Sequence, residues 1–90
     1  MKAIEALKEF LANETDDYCY EFGFNNEETL KVEILGQTHT LSAALVDAEG
    51  NLLIYLERGK KQIELENNEE MAAKVCQHIN NLTGAQTIKF

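Results

Sequence analysis

The sequence contains no proline, no tryptophan and no long apolar stretch. Linkers between domains are commonly rich in proline, glycine and serine, and because no such stretch occurs, one domain spanning residues 1–90 is predicted. No apolar segment approaches the roughly 20 residues that a membrane-spanning helix requires. The first ten residues, MKAIEALKEF, interrupt their apolar positions with charged ones, which is unlike the apolar centre of a secretory signal. The composition therefore argues against a membrane protein.

Cysteine is scarce, with one residue at position 19 and one at position 76. Two cysteines do not build the disulfide framework of a small secreted domain, so a reducing, cytoplasmic setting is expected. Cys19, Cys76, His39 and His78 are residue types that bind metals, but a zinc module needs two close pairs of ligands, which this spacing lacks. The sequence therefore predicts that no metal is bound.

Basic residues are outnumbered, with 8 Lys and Arg against 16 Asp and Glu and a net charge of −8. Such a surface repels nucleic acid and anionic membranes, so neither is expected as a partner. The basic cluster of Arg58, Lys60 and Lys61 stands where the surrounding pattern predicts a solvated hairpin turn. The charge balance instead favours a basic partner.

Alternation of apolar and polar residues dominates the segment from 38 to 66. Three successive runs repeat with a period of two, which is typical of half-buried β-strands. Residues 47–51 and 58–60 separate these runs and contain the Gly, Asn and Asp that tolerate the positive φ of hairpin turns. Three antiparallel strands are therefore predicted, with core-facing residues Leu41, Ala43, Leu45, Leu52, Ile54, Leu56, Ile63 and Leu65.

Two further strands are predicted before this segment, from runs that contain Tyr18, Tyr20, Phe22 and Phe24 and then Leu30, Val32 and Ile34. Helical spacing of apolar residues predicts an amphipathic helix at each side of the strands, with Ile4, Leu7 and Leu11 in the first and Met71, Val75, Ile79 and Leu82 in the second. Asn67 is the predicted N-cap of the second helix.

These elements predict an α+β domain built as a two-layer sandwich. A five-stranded antiparallel meander forms one layer, and the N- and C-terminal helices lie together on one face of it. The segment from Ala85 to Phe90 alternates as well, so it can add a sixth strand at the sheet edge or pack as an ordered tail.

Catalytic motifs are missing from the sequence, so the protein is not expected to be an enzyme. No glycine-rich loop precedes a helix, and no cofactor is therefore predicted. Ser42 and the cysteines lack an adjacent base or a nucleophile elbow. His39 shares its parity with Leu41 and is interpreted as a histidine at the boundary of the core with one satisfied nitrogen. A small enzyme or ligand-binding protein with a site near His39 remains an alternative.

The face of the sheet away from the helices is the predicted functional surface. Its alternating positions combine an apolar centre with an acidic rim, which is the usual composition of a protein-binding site. Glu21 also belongs to this rim. A homodimer through the same face and a plain solvated sheet face are the competing interpretations. We therefore expect a small acidic interaction domain that binds a basic protein partner through Glu33, Val46, Leu53, Tyr55, Glu57, Glu64 and Glu66.

Overall fold

The computed structural model describes residues 2–22, 29–57, 61–83 and 87–90. Within these residues the chain forms one helix, five strands and a second helix. Their bounds are α1 Ala3–Glu14, β1 Cys19–Glu21, β2 Lys31–Ile34, β3 Gln37–Val46, β4 Leu52–Leu56, β5 Lys61–Glu64 and α2 Glu69–Thr83. The predicted α+β class, with helices before and after a five-stranded antiparallel sheet, is confirmed.

The sheet is built around β3, its longest strand. Strands β2 to β5 follow one another as antiparallel neighbours, as expected of a meander. β1 departs from this order, because it pairs with the C-terminal half of β3, where Cys19 lies opposite Leu45 and Glu21 opposite Ala43. β2 pairs with the N-terminal half of the same strand. A strand of ten residues can take both neighbours, because β1 is only three residues long and β2 only four.

The hydrophobic core lies between the helices and one face of the sheet. Ala3, Leu7 and Leu11 recur at every fourth position of α1 and therefore share one side of that helix. They pack in one cluster with the alternate residues of β4, which have no exposed surface. Burial of a leucine or isoleucine side chain contributes about 1.5–3 kcal/mol. The fully buried larger side chains are Leu7, Leu11, Leu41, Leu52, Ile54, Leu56, Leu65, Val75, Cys76 and Ile79.

A β-bulge in β3 reverses the faces of the residues that follow it. The register with β4 shifts between Leu41 and Ala43, which makes Ser42 an extra residue. Beyond the bulge, Val46 packs on the core and Leu45 lies on the opposite face. The predictions that Ala43 and Leu45 face the core and that Val46 faces outward were wrong, because a one-residue insertion moves every later side chain to the other face.

The aromatic residues around β1 divide between core and solvent. The rings of Tyr20 and Phe22 lie 5.2 Å apart on the core side, and Phe22 also stacks 5.7 Å from the ring of His78 on α2. His78 is half-buried there. Tyr18 is 51% exposed, because its left-handed backbone at φ 56° interrupts the alternation before β1. Phe24 lies outside the described residues.

The two helices are joined at their N-termini by neighbouring side chains. Asn68 Oδ1 accepts a hydrogen bond from the backbone N–H of Met71 at 3.0 Å, so Asn68 rather than the predicted Asn67 is the N-cap of α2. The carboxylate of Glu69 accepts hydrogen bonds from the first two backbone N–H groups of α1. Negative charge is favoured at a helix N-terminus, so α2 supplies a cap for α1.

Residues 87–90 form an ordered tail, the second of the two alternatives that the sequence left open. Ile88 is only 2% exposed and belongs to the core cluster. The side chain of Asn80 holds it in place, because Oδ1 accepts the backbone N–H groups of Thr87 and Ile88 while Nδ2 donates to the Ile88 carbonyl at 2.9 Å. The amide of Asn80 thereby supplies the hydrogen bonds that a neighbouring strand would have supplied.

Candidate functional site

The candidate binding surface is the face of the sheet that lies away from the core. Directly opposite residues of antiparallel strands share a face, so its side chains form two rows across the sheet. One row consists of Cys19, Leu45, Leu53 and Glu64, and the other of Glu21, Ala43, Tyr55 and Gln62. We call the apolar members of these rows the outer patch, which comprises Cys19, Ala43, Leu45, Leu53 and Tyr55.

Leu53 lies at the centre of the outer patch. Leu45 on β3 and Glu64 on β5 flank it in its row and leave it only 6% exposed. Ala43 is 8% exposed in the neighbouring row. Leu45 and Tyr55 are half-buried and retain surface that a partner can contact. The described residues of both helices pack on the core side, so the helices leave this apolar surface uncovered.

Carboxylates stand at both sides of the outer patch. Glu21 on β1 and Glu64 on β5 are exposed at the ends of the two rows. Glu33 lies on the same face farther along β2, where Lys31 two residues away offsets part of its charge. An apolar centre with a polar rim is the usual composition of a protein-binding surface.

Three of the seven residues predicted for this site lie elsewhere. Val46 packs on the core beyond the bulge. Glu66 is tied to α1, because its Oε1 lies 2.7 Å from Lys8 Nζ and also accepts a backbone N–H of β4 at 2.9 Å. Glu57 turns toward a buried histidine. The predicted residues that do lie on the outer face are Glu33, Leu53, Tyr55 and Glu64.

Sequence reasoning missed three members of the outer patch, Cys19, Ala43 and Leu45. Cys19 alternates with Tyr20, so its position on the outer face was visible in the sequence. Ala43 and Leu45 follow the bulge, and the sequence carries no comparable signal for them. The run from Leu41 to Val46 is apolar at five of six positions, so its pattern does not show which of its two faces points to the core.

The buried side chain of His39 pairs with Glu57, whose own side chain is 41% exposed. The histidine is 6% exposed, and its Nδ1 lies 2.6 Å from Glu57 Oε1. Glu57 reaches it because the chain leaves β4 there with a left-handed φ of 49°. The other ring nitrogen, Nε2, is buried and finds no hydrogen-bond partner among the described residues. The structure thus matches the interpretation of a histidine with one satisfied nitrogen, although His39 lies deeper than the predicted boundary.

Neither cysteine has the character of a nucleophile. Burial, followed by the nearby carboxylate of Glu69, raises the pKa of Cys76 to about 12. Burial also raises the pKa of Cys19, and the charges of Glu21 and Asp17 add to this effect. The reactive form of cysteine is the thiolate, and both residues therefore remain thiols at neutral pH.

In the turn between β3 and β4, the carboxylate of Asp47 accepts hydrogen bonds from backbone groups of the turn itself. Asp47 Oδ1 accepts the backbone N–H groups of Glu49 and Asn51, each at 2.9 Å. These bonds, chiefly the one from Asn51, lower the pKa of Asp47. In the parts of the chain that the structure describes, no three metal-binding side chains lie together. The absence of a bound metal nevertheless stays a prediction.

The fold defines a two-layer α+β protein with both helices on one face of its sheet. Over the described ranges, no helix has the length and apolar character needed to cross a membrane. No protein-family model, no curated protein and no solved structure matches the chain. Its function is therefore argued from the chemistry of its own surfaces.

Proposed function

We propose that this protein is a non-enzymatic interaction domain whose outer patch binds a basic surface of another protein. The observation that carries the proposal is the arrangement of apolar side chains between Glu21 and Glu64 on the side of the sheet away from the helices. Removing these side chains from water favours association. The carboxylates around them favour a cationic partner and accelerate its approach.

The chemistry of the candidate catalytic groups supports binding over catalysis. Cys19 and Cys76 are thiols at neutral pH, and Nε2 of His39 is buried. A general acid or base must come within hydrogen-bond reach of its substrate, which a buried nitrogen does not. The two thiols are free, and we expect the protein to act in the cytoplasm, where free thiols persist.

Affinity capture with three matched baits tests this proposal. The baits are the unaltered protein, Tyr55→Glu in the outer patch and Gln77→Glu on the exposed side of α2. Each substitution adds one negative charge, in the outer patch in the first case and on the helix side of the molecule in the second, and Tyr55→Glu also removes an aromatic ring from the patch. We expect a basic protein to be recovered by the unaltered and Gln77→Glu baits and lost from Tyr55→Glu, because a carboxylate in an apolar contact must lose its water.

Folding and direct binding complete the test. Thermal unfolding of each bait must be cooperative, so that loss of capture reports on the surface and not on the fold. With the recovered partner purified, Glu21→Gln/Glu64→Gln should slow association and make it less sensitive to salt. Equal recovery of every bound protein by all three baits would contradict a role for the outer patch.

A further inference from the structure

A groove of about 270 Å³ runs between α1, from Ala6 to Glu14, and residues 87–89 of the tail. Its floor is apolar and consists of Ala6 and Ile88, which are buried, and Phe10, which is half-buried. The volume lies just below the range of roughly 300–1,000 Å³ that is usual for sites of small molecules. The groove is on the helix side of the molecule and is therefore separate from the outer patch.

The α1 wall of the groove is acidic. Glu9, Asn13 and Glu14 line it, and at 100° per residue they share with the floor residues of α1 a face roughly 140° wide. This face overlaps the edge of the stripe with which α1 enters the core, because Ala6 belongs to both. The tail wall contributes Lys89, so two carboxylates stand against one ammonium group. The groove therefore carries a net negative charge above an apolar floor.

The tail wall is held in position from behind. Both main-chain polar groups of Ile88 bond to the Asn80 side chain, and the Ile88 side chain is only 2% exposed in the core. Movement of the tail into the groove would break these hydrogen bonds and expose Ile88. The groove is thus preformed, which lowers the cost of binding a ligand.

From this geometry we propose that the groove binds an organic cation with a short aliphatic stem, such as an alkylammonium or alkylguanidinium group. The stem lies along Phe10 and Ile88, and the cation lies between Glu9 and Glu14, where the Asn13 amide oxygen can accept a further hydrogen bond. An anion would be repelled by the two carboxylates, and an uncharged stem would leave them without a partner. A free amine and the lysine side chain of a peptide share this chemistry.

Titration of the full chain with hexylammonium chloride, followed by NMR, tests the site. We expect saturable shifts at Ala6, Phe10 and Ile88 with a Kd below about 10 mM, an affinity that suits a ligand of this size. Glu9→Gln/Glu14→Gln should weaken binding by about tenfold or more. Glu5→Gln/Glu70→Gln is the matched control, because it removes two exposed carboxylates outside the groove and should leave the Kd unchanged.

Uncharged and peptide probes decide between specific and unspecific binding. Hexanol has the same stem and should bind much more weakly, whereas equal affinity for hexanol would overturn the proposal. Equal weakening by both double substitutions, or shifts that do not saturate, would overturn it as well.

In a second arm, Nα-acetyl-lysine methylamide supplies the peptide form of the cation. Tighter binding of this probe than of hexylammonium, with the same dependence on Glu9 and Glu14, supports a protein lysine as ligand, and the reverse order supports a free amine.

Discussion

Leu35 occupies a position that its residue type does not favour. It is 99% exposed, and its φ of 51° is followed by a φ of 80° at Gly36. Positive φ at both central residues of the two-residue β2–β3 loop is typical of a type I′ turn, which prefers Asn-Gly. A left-handed leucine is strained by roughly 1–2 kcal/mol, and at full exposure no packing offsets the strain.

Replacing this leucine should stabilise the protein. Leu35→Asn is expected to raise the free energy of unfolding by about 0.5–1.5 kcal/mol in urea denaturation, because asparagine tolerates the left-handed region. Gly36→Ala is the companion variant. Nothing lies within 4 Å of its added Cβ, yet at φ 80° it should cost about 1 kcal/mol. A loss of stability in Leu35→Asn would show that Leu35 makes a stabilising contact and is not merely strained.

Glu57 has a left-handed backbone too, but the structure compensates it. Its backbone N–H donates to the carbonyl of Thr40 at 2.7 Å, and its carboxylate bonds to His39. These two contacts attach the residue that follows β4 to the N-terminal half of β3. At Glu57 the left-handed backbone is therefore accompanied by two hydrogen bonds to β3, whereas at Leu35 no contact of this kind offsets the strain.

At the scale of single elements, the segment between β5 and α2 is joined to α1 by the ion pair of Glu66 with Lys8. The hydrogen bond from Lys8, followed by the one from the Leu52 N–H, holds the pKa of Glu66 below its usual value. A carboxylate with a lowered pKa stabilises the fold while it is ionised. Its contribution is complete above the unfolded-state pKa of about 4.5 and is lost as the pH falls through the lower folded-state value.

The pH dependence of a Lys8 variant tests this ion pair. Lys8→Gln should lower the free energy of unfolding near pH 7 by no more than about 1 kcal/mol, because both side chains are partly exposed to screening water. Below about pH 4.5 the difference from the unaltered protein should shrink, and it should disappear once the pH is below the lowered folded-state pKa, where Glu66 is protonated in both proteins. Lys74→Gln on α2 removes the same charge at an exposed position and should show no such trend. A difference that stays constant down to pH 2 would contradict this assignment.

At the scale of the whole molecule, the net charge of −8 sets the conditions for association. Two copies that met through the outer patch would bring the rims of Glu21 and Glu64 together, and like charges across an interface oppose binding. A basic foreign partner meets no such repulsion. The charge therefore favours a foreign partner over a homodimer through this face.

Sedimentation over a range of protein and salt concentrations tests this expectation. The protein should remain monomeric throughout. A dimer through two acidic rims would tighten as salt screens them, whereas one that pairs the rims with the basic cluster near Lys61 would loosen. Tyr55→Glu identifies the face, because a dimer that this substitution dissociates would replace the foreign-partner proposal by the homodimer alternative.

The sequence by itself determined the α+β class, both amphipathic helices and the core face of β4. These features follow from local periodicity, because the side-chain direction of a helix or an uninterrupted strand depends only on position along the element. Leu52, Ile54 and Leu56 are accordingly buried on one face. Glu64 and Tyr55 lie on the outer face for the same reason.

Only the tertiary structure decided the rest of the candidate site. The bulge at Ser42 arises from the pairing of β3 with β4 and exchanges the faces of Leu45 and Val46. Glu66 does not lie on the predicted rim, because it pairs with Lys8, a residue 58 positions earlier in the chain that lies beside it in the fold. Contacts of this kind depend on which elements meet in space, and a periodic pattern within one strand holds no information about its neighbours.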